Sequence, residues 1–275
     1  MNFKKNLFIL LIFILADSLI YSQSKTNILP VIDISKNYPT KKIILQDIAD
    51  VEYVSLETTD EVLLSGVSLG DVSILFHVSD KYICTYEFNR GEIFIFNRSG
   101  KIVNHFNNKG QQSGSEYTSI KNIVFDEKNE ELFVCTHYQS ILVYSMSGEF
   151  KRKLESLKNY EAYNFDDKTL LVFDEINVED SKVTSKKNPY RLISKKDGST
   201  VEVLDIYLPQ RYSHRFLIEP GHIVSMGFYN QMYYGKDFTI MDMSSDTAFL
   251  LTQNKELTPF LIRKPSVHTS KPRRV

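Results

Sequence analysis

Phe94-Ile95-Phe96-Asn97-Arg98-Ser99-Gly100-Lys101-Ile102 joins two apolar runs through a short polar turn closed by glycine. The arrangement recurs as Leu142-Val143-Tyr144-Ser145-Met146-Ser147-Gly148-Glu149-Phe150 and around Tyr190-Arg191-Leu192-Ile193-Ser194-Lys195-Lys196-Asp197-Gly198. A fourth copy reads Phe249-Leu250-Leu251-Thr252-Gln253-Asn254-Lys255-Glu256-Leu257. The turn positions Gly100, Gly148, Gly198 and Lys255 lie 48, 50 and 57 residues apart, a spacing in the range of propeller blades. A small antiparallel sheet cannot bury both faces alone, so a hairpin repeated at that period predicts an all-β chain. Four-stranded blades would stack around an axis as a β-propeller.

Working outward, turn residues divide the chain into about four blades. Strands are expected at 74–78, 82–86, 92–97 and 101–106, then at 120–125, 132–136, 141–145 and 149–154. The third blade takes 160–165, 170–173, 190–194 and 200–208, and the fourth takes 215–218, 222–226, 248–252 and 257–262. Residues 50–57 alternate cleanly but have no hairpin partner in sequence, which predicts an orphan strand of the kind that often completes the last blade of a closed propeller, although that last blade is missing from the pattern here. After 262 the chain is basic and aperiodic, so 263–275 reads as an irregular tail. The lead-in is 23–42 and the blades occupy 43–262.

The first 22 residues have the pattern of a secretory signal: Lys4 and Lys5, an apolar run from Leu7 to Ala16, and a small residue before a cut between Ser22 and Gln23. The apolar run falls short of the roughly 20 residues that a membrane span needs. A mature chain beginning at Gln23 would have a formal charge of −2, which gives no electrostatic reason to expect nucleic acid. Export to the periplasm or cell envelope follows, with no membrane span once the signal is removed.

Export permits disulfides, yet none is expected. Cys84 and Cys135 occupy the same place in successive repeats and so belong on equivalent strands of adjacent sheets about 10 Å apart. That exceeds the roughly 7 Å Cα limit for bridging. Both read as buried thiols.

With the repeats in view, Ile48-Ala49-Asp50-Val51-Glu52-Tyr53-Val54-Ser55-Leu56-Glu57-Thr58 and Gly110-Gln111-Gln112-Ser113-Gly114-Ser115-Glu116-Tyr117 complete a pattern. Together they resemble the exported six-bladed β-propeller proteins of Bacteroidetes, related in architecture to NHL-repeat propellers. The resemblance covers roughly 43–266. It implies a six-bladed ring of which about four blades are present, an incomplete ring shortened at the C-terminal side. Where that family has a Gly-Pro pair in the loop after the first blade, this chain has Gln112-Ser113 and one extra residue. The family brings a fold and an address but no catalytic residues.

Propeller geometry sends the loops between strands two and three, and those between blades, to one face. On it fall 88–91, 107–119, 137–140, 175–189 and 227–247, including both long insertions. Binding residues tend to lie on such loops over a rigid scaffold. Arg90, Glu116, Tyr117, His137, Tyr138, Tyr229, Tyr233 and Tyr234 are the candidates, because tyrosine and arginine combine contact area with directed hydrogen bonding. For Glu116 and Tyr117 the competing reading is that they fasten the loop between the first two blades.

No catalytic residues are assigned. The six histidines show no paired helical spacing, and neither a Ca²⁺ loop of the Asp-x-Asp-x-Asp-Gly kind nor a Gly-x-Ser-x-Gly elbow occurs. No cofactor is predicted. Asp174-Glu175 and Glu179-Asp180 could serve a Ca²⁺ site but read as a solvated acidic loop. Whether any metal binds stays open. The chain has no Trp, the usual stacking residue for sugars, which leaves tyrosine for that role. The expectation is an exported, non-enzymatic binding module for a peptide, protein or small ligand. Two alternatives stand beside it: a metal-dependent propeller hydrolase or lyase, and a truncated, non-functional piece of a longer propeller.

Overall fold

The computed structural model describes residues 28–60, 62, 64, 74–87, 90–111, 114–136, 141–154, 160–174, 188–212, 215–219, 222–225, 231–234 and 237–268. Of these, side chains are not described at 74–76, 160, 174, 215–219, 222–225 and 231–234. The signal-like segment, its Ser22/Gln23 cut and residues 269–275 lie outside this set.

The described residues are all-β apart from one three-residue 3-10 turn, Leu45–Asp47. The first strand, β1 (Val31–Asp33), precedes the blades. Blade one is β2 (Ile74–Val78), β3 (Tyr82–Glu87), β4 (Ile93–Asn97) and β5 (Ile102–Phe106). Blade two is β6 (Asn122–Asp126), β7 (Glu131–Cys135), β8 (Ile141–Ser145) and β9 (Phe150–Leu154). Blade three is β10 (Tyr160–Asn164), β11 (Thr169–Asp174), β12 (Tyr190–Ser194) and β13 (Thr200–Val203). Each is an antiparallel meander, the architecture of a propeller blade.

The fourth blade differs from the sequence expectation. The pair β14 (Arg215–Glu219) and β15 (His222–Ser225) forms its own two-stranded ladder. Its place in the blade is taken by β16 (Gln231–Tyr234) and β17 (Asp237–Ile240), which pair onto β18 (Thr247–Leu251) and β19 (Leu257–Lys264). The stretch 227–247 therefore contains a hairpin and is not one long loop. Only two residues separate β16 from β17, and with the ladder partners Tyr233 and Phe238 side by side the hairpin forms locally.

All four turn anchors sit in the left-handed region, with φ of 81° at Gly100, 86° at Gly148, 80° at Gly198 and 66° at Lys255. Glycine reaches this conformation without strain, which explains three of the four anchors; lysine occupies it at a cost. A register shift falls between the strands of each of these hairpins, at Ile95/Phe96, Val143/Tyr144, Leu192/Ile193 and Ala248/Phe249. The repeat thus extends to its bulge.

The core lies between blades. Cys84, Tyr86, Ile93 and Ile95 of blade one meet Ile123, Leu132, Val134 and Leu142 of blade two. The opposite face of blade two, with Val124, Phe133, Cys135 and Val143, meets Leu170, Val172 and Ile193 of blade three. Leu171, Tyr190 and Leu192 then pack on Phe238, Ile240 and Leu251. Cys84 and Cys135 lie on the equivalent second strands β3 and β7, two residues out of register, with Phe133 at the place of Cys84, and both are buried free thiols.

Two long-range features were not legible locally. Residues 50–57 do not complete the last blade. Val54, Leu56, Val62 and Leu64 instead lie on Ile83, Phe94 and Phe96, the face of blade one turned away from blade two. Glu57 N donates to Gly100 O at 2.8 Å and Ile102 N donates to Glu57 Oε2 at 2.9 Å, pinning the segment to the β4–β5 turn. Its alternation buries Val54 and Leu56 and turns Tyr53, Ser55 and Glu57 outward, so it acts as a cap with a mostly polar outer side. Secondly, β1 pairs in parallel with β19, Val31 beside Ile262 and Asp33 beside Lys264. The lead-in thereby completes the last sheet, and β19 runs two residues into the predicted irregular tail.

Candidate functional site

On the face of the long loops, Arg90 follows β3 with its side chain 46% exposed. Its guanidinium reaches Glu92 at 3.0 Å and also contacts the buried Glu87, whose carboxylate accepts from Arg90 Nε at 2.5 Å. Asn107 Nδ2 donates to Arg90 O at 3.0 Å. A planar donor held by two carboxylates has lost most of its rotamer freedom before any ligand arrives.

Beside it, the loop 107–119 is fastened at several points. Tyr117 is fully buried; its hydroxyl donates to Gly91 O at 2.6 Å and accepts from Asn108 N at 2.9 Å. Gly110 N donates to Tyr117 O at 3.0 Å, and Tyr144 from blade two donates its hydroxyl to Ser115 O at 2.6 Å. The Tyr117 and Tyr144 rings meet edge to face, centroids 5.9 Å apart. Burial pushes the Tyr117 phenol up to about 12, so it stays protonated and donating. Glu116 is half-buried, with its carboxylate where a side chain on Gly110 would project. Tyr117 is therefore a fastening of this loop and not a surface contact, because its hydroxyl is fully committed and its ring has no exposed face.

His137, Tyr138 and Tyr229 lie outside the described residues. Tyr233 and Tyr234 were expected on a loop and stand instead on β16, opposite Phe238 and Asp237. The acidic loop 175–180 also lies outside, and among the described residues no group of three or more His, Cys, Asp or Glu side chains has metal-holding geometry.

Sequence reasoning missed a cleft on the propeller axis. The first strands of three blades, β2, β6 and β10, enclose about 390 Å³ lined by His77, Val78, Asn122, Phe125, Tyr163 and Asn164, among others. Through Ser79, Phe125 and Asn164 it adjoins a wider mouth of about 680 Å³ on the face of the short turns. Burial pushes the His77 imidazole down to about 4, so it is neutral at physiological pH. The available signal was the equivalence of first strands across repeats, which places one residue of each blade at the same height on the axis.

The mouth is stitched from blade to blade. Asp80-Lys81, Glu127-Lys128 and Asp167-Lys168 occupy equivalent first turns. Lys81 pairs with Glu127 of the next blade, at 3.8 Å through Nζ and 3.0 Å through its backbone N–H, and Lys128 pairs with Asp167. Deeper in, Lys195 of blade three meets Asp126 of blade two, both buried. Arg152 forks onto Glu131 at 2.7 and 2.6 Å while donating to Lys195 O.

Residues 29–264 match a domain of unknown function (DUF4934), which spans well over half of the chain and the whole set of blades. The chain belongs to the DUF4934 family. Among solved structures, a candidate exported protein from Bacteroides fragilis aligns at a TM-score of 0.54 with 15% identity, over 82% of this chain and 58% of that one. Virginiamycin B lyase from Staphylococcus aureus aligns at 0.40 with 14% identity, over 76% of this chain and 62% of that one. BamB from Moraxella catarrhalis aligns at 0.34 with 8% identity, over 64% of this chain and 48% of that one. This DUF4934 chain spans less than two thirds of the length of each, and likeness at these identities speaks for the fold alone. No curated protein matches it. No described helix is long and apolar enough to cross a membrane.

Proposed function

We propose that this DUF4934 chain is an exported, non-enzymatic β-propeller module that binds a peptide, protein or small ligand on the face of the long loops. The observation that carries the reading is the fastened loop 107–119 beside the clamped Arg90. Tyr117, Tyr144 and Asn108 hold the ends of that loop and Asn107 ties it to Arg90 O, while Gln111 and Gly114 of the same loop remain exposed and the Arg90 guanidinium is fixed by two carboxylates. A rigid, polar, solvent-facing platform is suited to recognition, since little conformational entropy is lost on binding. Export rests on the signal-like residues 1–22, with a candidate exported protein as a structural neighbour. A six-bladed architecture stays part of the same proposal.

Selection of a random-peptide display library on the purified chain tests it. Enriched peptides should lose binding to Arg90→Ala and to Gln111→Trp, with circular-dichroism melts confirming that each variant folds, since Arg90 also pairs with the buried Glu87. Peptides that bind both variants as well as the parent chain would overturn the assignment of this face.

A further inference from the structure

We infer that the axial cleft between β2, β6 and β10 is a second binding site, entered from the short-turn face, and that it takes an uncharged saccharide. The site lies on the opposite side of the propeller from Arg90 and does not depend on the loop-face reading.

Three observations converge on this chemistry. The first is the lining. Val78, Val124, Phe125, Ala162 and Tyr163 supply carbon surface, and the amides of Asn122 and Asn164 stand among them. A pyranose has the matching halves: an apolar face of C–H groups and a rim of hydroxyls that pair with planar amides. Ligand sites generally combine mostly apolar walls with a few placed polar groups. Val78 is 62% exposed, so a large aliphatic side chain at the cleft wall has no protein covering it.

The second is an unanswered acceptor. Asn122 Nδ2 donates to Ala162 O at 3.0 Å, which fixes the amide, while its Oδ1 is buried and finds no donor among the described residues. A buried carbonyl without a donor costs about 1–3 kcal/mol. A hydroxyl bound in the cleft would remove that cost.

The third is charge. Among the described residues, the cleft lining holds no Asp, Glu, Lys or Arg side chain, and the imidazole of His77 is neutral there. At the mouth, Asp80, Asp126, Glu127, Asp166 and Asp167 outnumber Lys81 and Lys128, so an anionic ligand meets a repelling entrance. For a cation, the described cleft lining itself holds no carboxylate to pair with it. An uncharged, hydroxyl-rich ligand is the class left.

Ligand-observed NMR on the full chain, with glucose, galactose, mannose and N-acetylglucosamine as probes and glucuronate and glucosamine as charged controls, tests the inference. At least one neutral sugar should bind saturably and more tightly than both controls. Val78→Trp, which fills the cleft from an exposed position, should abolish that binding, and Asn122→Ala should weaken it tenfold or more. Arg90→Ala should leave it unchanged, which separates this site from the loop face. Thermal melts by circular dichroism confirm that each variant folds. If Asn122→Ala fails to fold, Val78→Trp alone decides. Absence of binding by every neutral sugar, preference for a charged one, or binding undiminished in folded Val78→Trp would overturn the assignment and leave a hydrated channel.

Discussion

The hydroxyl of Tyr117 donates to the carbonyl of Gly91 at 2.6 Å, across 26 residues of chain, tying the blade-one-to-two loop to the hairpin that carries Arg90. Sequence pattern alone left Tyr117 as either a ligand contact or a loop fastening; burial and this bond make it the second. Tyr117→Phe should keep the ring packing against Tyr144 and lose both hydroxyl partners. A destabilisation of about 1–3 kcal/mol in urea titrations is expected. A midpoint unchanged from the parent would show that the bond fastens nothing.

Lys255 holds the position that glycine holds in the other three repeats, at a φ of 66°. A lysine there costs roughly 1–2 kcal/mol relative to an unstrained backbone, part of which glycine gives back through unfolded-state entropy. Lys255→Gly should therefore stabilise the chain by about 0.5–1 kcal/mol. Lower stability in the same titration would contradict this account of the turn.

Gly100 has a left-handed backbone, and a methyl group there would run into the carbonyl oxygen of Ser55 in the cap. Gly100→Ala should loosen residues 54–64 from Phe94 and Phe96 and cost more than about 1 kcal/mol. Hydrogen exchange offers the direct readout, with faster exchange expected at Glu57 and Ile102. Uniform protection across the cap in the variant would show that the segment is held by other contacts.

His77 titrates near 6.5 in an unfolded chain and at about 4 when folded, through burial. Between those values the unfolded state binds more protons, so stability rises with pH and is lost as the pH falls from 6.5 towards 4. The partly exposed ring limits this contribution to the order of 1–3 kcal/mol. Carboxylates whose pKa is held low, such as Glu127 with an ordinary value of 4.5, lose their contribution only below that value. Within the window from 6.5 to 4.5, His77 contributes while these carboxylates do not. His77→Gln should flatten the stability profile there, and a slope equal to the parent's would refute the assignment.

Burial pushes the Cys135 thiol up to about 12 and raises Cys84 further. A thiol so rarely ionised is a poor nucleophile. Iodoacetamide should label neither cysteine in the native chain and both in denaturant, and intact mass should not change on reduction. Rapid native labelling would place one of them at an opening in the core.

Much of this protein was legible in the sequence because the information is local. A hairpin is specified by two-residue alternation and by the conformation of one turn residue, so the blades, the anchors at Gly100, Gly148 and Gly198 and the buried Cys84 and Cys135 could be read from stretches of about ten residues. The fourth blade misled because the apolar runs 215–218 and 222–226 have the right pattern, while the choice between them and β16–β17 rests on which hairpin packs against blade three.

What only the tertiary structure decided are the contacts between residues far apart in the chain. Val31 pairs with Ile262, Val54 and Leu56 cover Phe94 and Phe96, Lys81 reaches Glu127, and His77, Asn122 and Asn164 meet at one cleft. An amphipathic run such as 50–57 signals only that one side wants burial. Any apolar face of the right width satisfies it, and which face does so depends on the stacking of sheets whose own strands carry no record of it.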